Sequence, residues 1–590
     1  MSLVETVYDY FKLPITYLEG SARRDLPSHI AADLELYETI DASGSSGTAP
    51  MYHHLYDPAT YVTADLGPYM GAFHRALAQY YTTDRAFLRA SQDIIAGFGA
   101  HGMTRSGVQR AAAMLRRWEE IKTDKYFNEN YYYMEWNYLE FMNHSEAYMQ
   151  VMSTLNLVSP LMTLLSPLMM LVTPFFMLQM MGVRISRVMY ITILKRLISD
   201  HAIGRLFSLG TRPTTLKEKV YIVMTAGFYI YSVYQNTMMC INFNRKMGRI
   251  YEFMEELWQF LTYSVEQLDG YLGGITACSV AGGAYNAFHK TAAIMRGRLY
   301  EWRIRISPIR GKWSVSKVRQ LGAVMCEFYQ YHHNEDLHHV FMYAVGVHGY
   351  LYFIENVCQF HKAGLINRCD MGASSGFMLR DNYYAPLVCG TPVKNTVKLG
   401  GGGTGMIISG PNASGKTTLM KSVLLNVIFS QQFGMGFYGA GSRLAPFAYL
   451  HCYLNIPDTS GRDSLFQAEA RRCKEILDVV RRETTVEHFI IFDELFSGTN
   501  PEEAVKSSAA FIKYLGGLSN VAFMLTTHYR KVCKHFAKSD KIRNYQMAVI
   551  QGENTIQYTY KVERGISKVR GGLQVLREMD YPKEIFGGGA

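Results

Sequence analysis

The sequence predicts an α plus α/β fold, in which a helical N-terminal part is followed by a C-terminal α/β domain. Apolar residues recur at helical spacing, with few breakers, from about Pro68 to Gln150 and again from Asn242 to Cys369. After Met371 the pattern changes to short β-like runs, APLV, NTVKL and MIIS, and the last leads into a glycine-rich loop and a helix. Because 590 residues exceed what one hydrophobic core usually holds, we expect about two to four domains.

The composition indicates a folded globular chain, since 48% of the residues are hydrophobic and 19% are charged. A formal charge of +10 suits acidic partners, either nucleic acid or an anionic membrane, without choosing between them. Nine cysteines without a CxxC pair argue against a disulfide framework or a zinc ribbon and favour a reducing compartment. The first residues, MSLVETVYDYFKLP, lack the pattern of a secretory signal, so we expect an intracellular protein.

Composition shifts divide the chain into five segments. The Gly- and Ser-rich stretch DASGSSGTAP, from Asp41 to Pro50, predicts a loop or linker. We predict an N-terminal arm and linker over residues 1–50, a helical region over 51–156, a hydrophobic segment over 157–241, a second helical region over 242–370 and the α/β domain over 371–590.

The hydrophobic segment raises the question of membrane contact. Residues 157–183 include no charged side chain, and at about 1.5 Å per residue they are long enough to cross a bilayer core. A second apolar run over residues 220–241 is weaker, and the basic residues between the runs fit poorly with two simple spans. Pro160, Pro167 and Pro174 fall on nearly one helix face and remove hydrogen bonds, which suits a kinked or interfacial segment. The pattern favours membrane association through Leu157 to Val183, with a buried helix pair as the alternative.

Two clusters in the helical regions carry weaker signals. The aromatic run YFNENYYYMEWNYLEFMN, residues 126–143, favours a packed helix face over a base-stacking surface, because aromatic residues more often fill cores. In YHHNEDLHH, the pairs His332 with Asp336 and Glu335 with His339 have the i,i+4 spacing of one helix face. A solvated polar face is favoured over a metal site there, because no HExxH-type arrangement is present.

A nucleotide-binding loop follows the first clear strand of the C-terminal region. A strand over residues 406–409 leads into a loop and a helix, and the loop residues are Gly410, Pro411, Asn412, Ala413, Ser414, Gly415, Lys416, Thr417 and Thr418. This order matches GxxxxGK[ST] in full. The glycines let backbone N–H groups surround phosphates, Lys416 can reach the β- and γ-phosphates, and the Thr417 hydroxyl can ligate magnesium. We therefore predict ATP and Mg²⁺ as ligands.

A second element, HFIIFDELFSGTN, supplies the carboxylates that such a loop needs. Its strand, residues 489–492, ends at Asp493 and Glu494. We expect Asp493 to hold magnesium, directly or through water, and Glu494 to polarise the attacking water. A further strand, VAFMLTT, ends at His528, which is placed to sense the γ-phosphate or to orient the water. The predicted catalytic residues are thus Glu494, His528 and Lys416, and the predicted magnesium ligands are Thr417 and Asp493.

These motifs resemble the C-terminal ATPase domain of the MutS family, within the broader ABC-type ATPases. GPNASGKTT looks like the family's GPNxxGKS/T loop, FDELFSGTN resembles its DExxxGT segment, and TTHY is similar to its THY element. SGRDSLFQAEARRCKEIL resembles the family signature, with Ser464, Phe466 and Glu469 in the matching places. The tail GISKVRGGLQVLREMDYPKEIF is similar to the family's closing pattern, although VRGG stands where SYG is usual. The resemblance covers Asn382 to Phe586.

The resemblance implies an ABC-type P-loop ATPase domain preceded by a lever-like helical region. It implies a homodimer, or a heterodimer with a related subunit, in which Ser464 completes the nucleotide site in trans. Gly498, Thr499 and Asn500 would then lie at the dimer interface. The family's mismatch-reading domain bears a GxFYE-like context, which does not occur near this N-terminus. With its hydrophobic segment, the chain resembles a divergent membrane-type branch of the family.

Two functions are compatible with these features. The first is a dimeric, ATP-driven DNA clamp in mismatch repair or recombination-type DNA transactions, in which the basic excess contacts phosphates. The second is a membrane-associated ABC-type ATPase that acts on a protein or lipid partner, with its ATPase domain on the cytosolic side. Dependence of ATP hydrolysis on DNA separates the two.

Overall fold

The computed structural model describes residues 2–39, 49–56, 67–98, 105–182, 186–200, 215–277, 283–372, 375–400, 404–454, 464–551, 556–569 and 581. The chain divides into two compact units, which we treat separately. The first unit comprises residues 1–115, 263–299 and 339–590, and the second comprises residues 116–262 and 300–338. Each unit is built from separate stretches of the sequence, whereas the five predicted segments are consecutive. The units therefore do not test the segment boundaries, which stay predictions.

The part of the chain before residue 363 is mainly helical. Its elements are α1 (Leu3–Tyr10), β1 (Arg23–Asp25), α2 (Ser28–Asp33), α3 (Gly67–Leu77), β2 (Tyr80–Thr82), α4 (Arg85–Gly97), α5 (Arg105–Lys122), α6 (Phe127–Asn130), α7 (Glu146–Met180), α8 (Arg187–Asp200), α9 (Leu216–Ala277), α10 (Asn286–Ile306), α11 (Leu321–His333) and α12 (Glu335–Lys362). Strands β1 and β2 pair in antiparallel orientation. Helix α4 shows why such a segment is helical: Asp84 caps its N-terminus by accepting hydrogen bonds from the backbone N–H groups of Ala86 and Phe87.

In the second unit, α7 and the N-terminal half of α9 contain the two apolar runs. The Tyr229 hydroxyl donates to the carbonyl of Thr163 at 3.3 Å, and the Cys240 thiol donates to the carbonyl of Leu157 at 3.4 Å. Among the residues that the structure describes, no helix combines the length and the apolar character needed to cross a bilayer. The described residues therefore give no support to the predicted membrane association of residues 157–183. Some side chains of this segment lie outside the described part.

The two clusters noted in the helical regions differ from expectation. In the aromatic run, Phe127 and Tyr133 are buried, but Trp136 and Tyr138 are 72% and 95% exposed. A packed helix face is therefore wrong for the second half of the run, which lies in a 3₁₀ helix, Asn137–His144, rather than in an α-helix. The shared face predicted in YHHNEDLHH is wrong for His332 and Asp336, which lie in different helices, whereas Glu335 and His339 do share one turn of α12. Helix α11 ends at His333, and Asn334 starts α12 by accepting a hydrogen bond from the backbone N–H of Leu337 at 2.9 Å.

The C-terminal region alternates strands and helices. Its elements are β3 (Asn367–Asp370), β4 (Phe377–Asn382), β5 (Asn395–Leu399), β6 (Gly405–Ser409), α13 (Lys416–Phe433), β7 (Met435–Gly436), β8 (Ser442–Leu444), β9 (Tyr449–Tyr453), α14 (Leu465–Arg482), β10 (His488–Asp493), α15 (Pro501–Gly517), β11 (Val521–Thr527), α16 (Arg530–His535), β12 (Ile542–Gln551) and β13 (Ile556–Arg564). The predicted α plus α/β class is confirmed. The APLV run is not a strand but a 3₁₀ turn, Ala385–Leu387, because Pro386 lacks the N–H that a strand ladder uses.

A six-stranded sheet, in the order β13-β12-β6-β11-β10-β9, carries the predicted nucleotide motifs. Strands β9, β10, β11, β6 and β12 run parallel, and β13 pairs with β12 in antiparallel orientation. Every residue of β6 and β11 is buried, as expected of parallel strands covered on both faces. The apolar core of this sheet joins Ile407, Ile490 and Phe523 to Ile476 of α14 and Ile512 of α15. This rigid core fixes the strand ends at which the motif residues lie.

Candidate nucleotide-binding site

The loop between β6 and α13 is closed on itself by hydrogen bonds. The carbonyl of Pro411 accepts from the Ser414 hydroxyl at 2.8 Å and from the Lys416 ammonium at 3.0 Å. Gly415, with φ of 88°, takes the left-handed conformation that begins the helix. A Cβ there would also lie 3.1 Å from the ring of Tyr560. Both the backbone conformation and the lack of space therefore favour glycine at this position. Asn412, Ala413 and Thr418 are exposed around this turn.

Lys416 is 5% exposed and lies within the loop. Burial lowers the pKa of its ammonium below the usual 10.5, while the negative charges of Glu494 and Asp493 oppose that shift. The lysine therefore sits beside both predicted carboxylates. Its ammonium is placed where a phosphate cradled by the N-terminus of α13 would meet it.

Thr417 and Asp493 bring two oxygen donors together. The Thr417 hydroxyl donates to the two carboxylate oxygens of Asp493 at 3.1 and 3.3 Å, and the Thr526 hydroxyl also donates to Asp493. Hard oxygen donors of this kind suit Mg²⁺, which takes one or two protein groups and completes its shell with phosphates and water. Within the described part of the chain, no group of three or more His, Cys, Asp and Glu side chains could hold a metal ion. The Thr417 hydroxyl and the Asp493 carboxylate fit magnesium that is bound together with a nucleotide.

Glu494 and His528, two of the predicted catalytic residues, contact each other directly. His528 Nε2 lies 2.6 Å from Glu494 Oε1, and this hydrogen bond is the main cause that lowers the pKa of Glu494 below 4.5. The backbone of Glu494 has φ of 52°, an uncommon value for a residue with a side chain. Its N–H donates to the carbonyl of Thr526 at 3.2 Å, which anchors this turn to the neighbouring strand.

Two cavities meet at Glu494. The larger, about 740 Å³, is lined by Asn412–Leu419 of the loop and helix. Its apolar walls come from residues that the motifs did not predict, Tyr384, Leu387, Val393 and Tyr560. The second, about 580 Å³, lies beside Gly410 and His528 and is also lined by Val569 of the VRGG segment. The apolar wall was missed because it lies far from the loop in sequence and includes the run interpreted as a strand.

The signature segment is placed by its own hydrogen bonds. Ser464 caps α14: its hydroxyl accepts from the N–H of Gln467 at 3.4 Å, and its own N–H donates to the Gln467 side chain at 3.0 Å. Ser464 lines neither cavity of the same chain. Residues 455–463, which include the start of the signature, and most of the closing pattern, residues 570–580 and 582–590, lie outside the described residues.

Helix α14 also holds the segment that follows Glu494. The buried carboxylate of Glu469 accepts hydrogen bonds from the N–H groups of Ser497 and Gly498 and from the Ser497 hydroxyl, at 3.0 to 3.1 Å. A Cβ at Gly498 would lie 2.7 Å from Leu465, so glycine permits this close approach. Asn500 caps α15 by accepting from the N–H of Glu502 at 3.0 Å, and the Thr499 hydroxyl donates to Glu503 at 3.0 Å.

The parallel sheet, the glycine-rich loop on its central strand and the adjacent carboxylates together define a P-loop nucleotide-binding domain. Residues 406–588 match the family model described as MutS domain V. The resemblance drawn from the motifs is therefore confirmed over these residues.

Three relatives show how far this similarity extends. The chain is 25% identical over 194 residues to "Endonuclease MutS2" of Streptococcus uberis, which covers 33% of this chain and 24% of that protein. It is 32% identical over 206 residues to "MutS protein homolog 4" of Mus musculus, covering 33% and 20%. It is 26% identical over 200 residues to "DNA mismatch repair protein MutS" of Fusobacterium nucleatum, covering 33% and 22%. The chain thus spans about a quarter or less of the length of the curated relatives it matches.

Proposed function

We propose that this protein binds ATP with Mg²⁺ and hydrolyses it to ADP and phosphate. The observation that carries the proposal is the Glu494–His528 pair at 2.6 Å, which lies at the phosphate loop, next to the contact between Thr417 and Asp493. Parallel-sheet P-loop domains act on nucleotides with this set of groups.

Each side chain has a defined part in the proposed reaction. The loop N–H groups and Lys416 hold the β- and γ-phosphates. Thr417 and Asp493 would hold magnesium, which when bound neutralises charge on the phosphates. Glu494, kept ionised by His528, accepts a proton from the attacking water, and His528 fixes the direction of that carboxylate. The wall of Tyr384, Leu387 and Val393 offers the adenine an apolar contact surface.

We further propose that two copies, or this chain and a related subunit, complete each other's sites. Ser464 stands at the N-terminus of an 18-residue helix, where backbone N–H groups favour a phosphate oxygen. It would contact the nucleotide of the other subunit. The interface would include Gly498, Thr499 and Asn500, which follow the Glu494 turn.

The proposed biological role is that of a DNA clamp in mismatch repair or recombination-type DNA transactions inside the cell. The support is the match to MutS domain V, the name "DNA mismatch repair protein MutS" of one relative, and the formal charge of +10. Steady-state ATP hydrolysis with homoduplex, mismatched and branched DNA, at low and moderate salt, tests this role. Stimulation that depends on DNA structure supports a clamp, whereas no response to any DNA favours a protein or lipid partner.

The substitution Glu494→Gln tests the chemical assignment. It keeps the shape of the side chain but removes the proton acceptor, so ATP hydrolysis should fall roughly 100-fold or more while ATP affinity stays within about threefold. Trapping of ATP is measured with a fluorescent ATP analogue and single-turnover hydrolysis.

The matched control is Asp478→Asn, which removes the same charge from an exposed position of α14 that lines neither cavity. It should retain turnover. Normal turnover in Glu494→Gln would overturn the assignment of the water-activating group.

A further inference from the structure

A third polar cavity of the first unit lies between the N-terminal segment and the edge of the six-stranded sheet. Its volume is about 580 Å³, and its walls come from residues 23–29, from the edge strand β9 and from α14. Four arginines line it, against two carboxylates: Arg23, Arg24, Arg472 and Arg482, with Asp25 and Glu475. None of these residues belongs to the nucleotide-binding loop.

Arg23, Arg472 and Arg482 already have oxygen partners. Arg23 donates to the carbonyl of Thr16 at 2.9 Å. Arg472 donates to the carbonyl of Cys452 at 3.2 Å and pairs with Glu475 at 3.3 Å. Arg482 forms a surface ion pair with Glu483 at 3.5 Å, and Glu475 pairs with Arg472, so neither carboxylate pairs with Arg24.

Arg24 is the least satisfied cation of the cavity. Among the described residues no carboxylate pairs with it, and its Nε atom is buried without a hydrogen-bond acceptor. Its Nη1 atom donates to the Tyr449 hydroxyl at 3.5 Å, the long limit of a hydrogen bond. The guanidinium lies over the Tyr449 ring, 5.1 Å from its centre, which holds the planar group in place. A held, half-buried cation without a counter-ion is suited to bind an anion.

The two histidines of the cavity add hydrogen-bonding groups rather than charge. Burial, with Arg472 nearby, lowers the pKa of His29 to about 4, and burial lowers the pKa of His451 to about 3. Both are neutral at pH 7, and His451 already contacts His488 at 3.2 Å. The positive charge of the cavity at neutral pH therefore comes from its arginines, whose planar fork matches phosphate oxygens.

We propose that this cavity binds a phosphate-bearing small molecule, with Arg24 as its principal contact and Arg472 and Arg482 as further cations. The volume exceeds what a pyrophosphate group needs. A bound anion would join the N-terminal segment to β9 and to α14, the helix that Ser464 caps and that holds the Glu494 turn through Glu469. This site is separate from the phosphate loop and does not depend on the function proposed for it.

Calorimetric titration of the full chain with pyrophosphate tests the proposal, because both sites should accept this probe. In the unaltered protein we expect two binding events. Lys416→Ala should remove the event at the phosphate loop and leave the other. Arg24→Gln should weaken that other event roughly tenfold or more, as expected for loss of charged hydrogen bonds. Arg481→Gln, the same charge change at an exposed position of α14 outside the cavity, should change neither event.

A measurement on the unaltered side chain guards against a folding defect in Arg24→Gln. In the Lys416→Ala protein, pyrophosphate should protect Arg24, but not Arg481, from modification by phenylglyoxal, as read by mass spectrometry. Sodium chloride at the same ionic strength should give no protection. A single pyrophosphate event that Lys416→Ala abolishes, or protection by duplex DNA without protection by pyrophosphate, would overturn the proposal.

Discussion

Glu469 is a buried carboxylate on α14, and its replacement by alanine tests how the segment after Glu494 is held. The side chain is 2% exposed. One carboxylate oxygen accepts from the N–H and the hydroxyl of Ser497, both at 3.0 Å, and the other accepts from the N–H of Gly498 at 3.1 Å. We expect Glu469→Ala to free this segment locally and to reduce ATP hydrolysis, although Glu469 lines neither nucleotide cavity.

The magnitude follows from the three donors that the substitution leaves without an acceptor. Hydrogen bonds to a charged group contribute about 1.5–3 kcal/mol each, and an unsatisfied buried donor costs about 1–3 kcal/mol. Because the segment can relax and admit water, we expect a loss of about 3–5 kcal/mol in its local free energy of opening. Glu469→Gln should lose about 1–3 kcal/mol, since its amide oxygen still accepts while its NH₂ group faces donors.

Hydrogen exchange of the amides of Ser497 and Gly498, followed by mass spectrometry, measures this opening directly. Protection should fall roughly 100-fold or more in Glu469→Ala. Asp478→Asn is the matched control on the same helix, because Asp478 forms an exposed pair with Lys474 at 2.7 Å that contributes under about 1 kcal/mol. Exchange at the unaltered rate in Glu469→Ala would refute the reasoning.

Three further predictions concern the site and its support. His528→Ala removes the hydrogen bond that most lowers the pKa of Glu494. Because the base works when deprotonated, the acid limb of the ATPase pH profile should move to higher pH; an unmoved limb would contradict this. Asn500→Ala removes the cap of α15 and should cost about 1 kcal/mol in urea unfolding, which Asn500→Ser should largely restore. Asn426→Ala removes a buried amide that bonds to Asn382 and to three backbone groups, and should cost about 2–4 kcal/mol. A loss under about 0.5 kcal/mol in the same assay would count against that estimate.

The nucleotide motifs were predictable because their chemistry and their local structure coincide. A strand, a glycine-rich turn and a helix are consecutive in sequence, so Lys416 and Thr417 could be placed before the fold was known. The carboxylates at the end of β10 and His528 at the end of β11 follow from the rule that parallel strands bring their carboxyl ends to one edge.

Other features depend on contacts between residues that are far apart in the sequence. The contact between Arg24 and Tyr449 joins residues 425 positions apart, and no local pattern marks either of them. The wall formed by Tyr384 and Leu387 was hidden by an apolar run that resembles a strand but contains proline. The spacing of His332 and Asp336 failed for a local reason, because Asn334 prefers to start a helix rather than to continue one.

The left-handed backbone of Glu494 sets the stability of the fold against the proposed role of this side chain. A residue with a side chain at φ of 52° costs on the order of 1–3 kcal/mol, which glycine would avoid and asparagine would reduce. A library screened only for heat resistance should therefore enrich glycine or asparagine at position 494. If Glu494 activates water as proposed, the variants from this screen would be more stable than the parent and would not hydrolyse ATP.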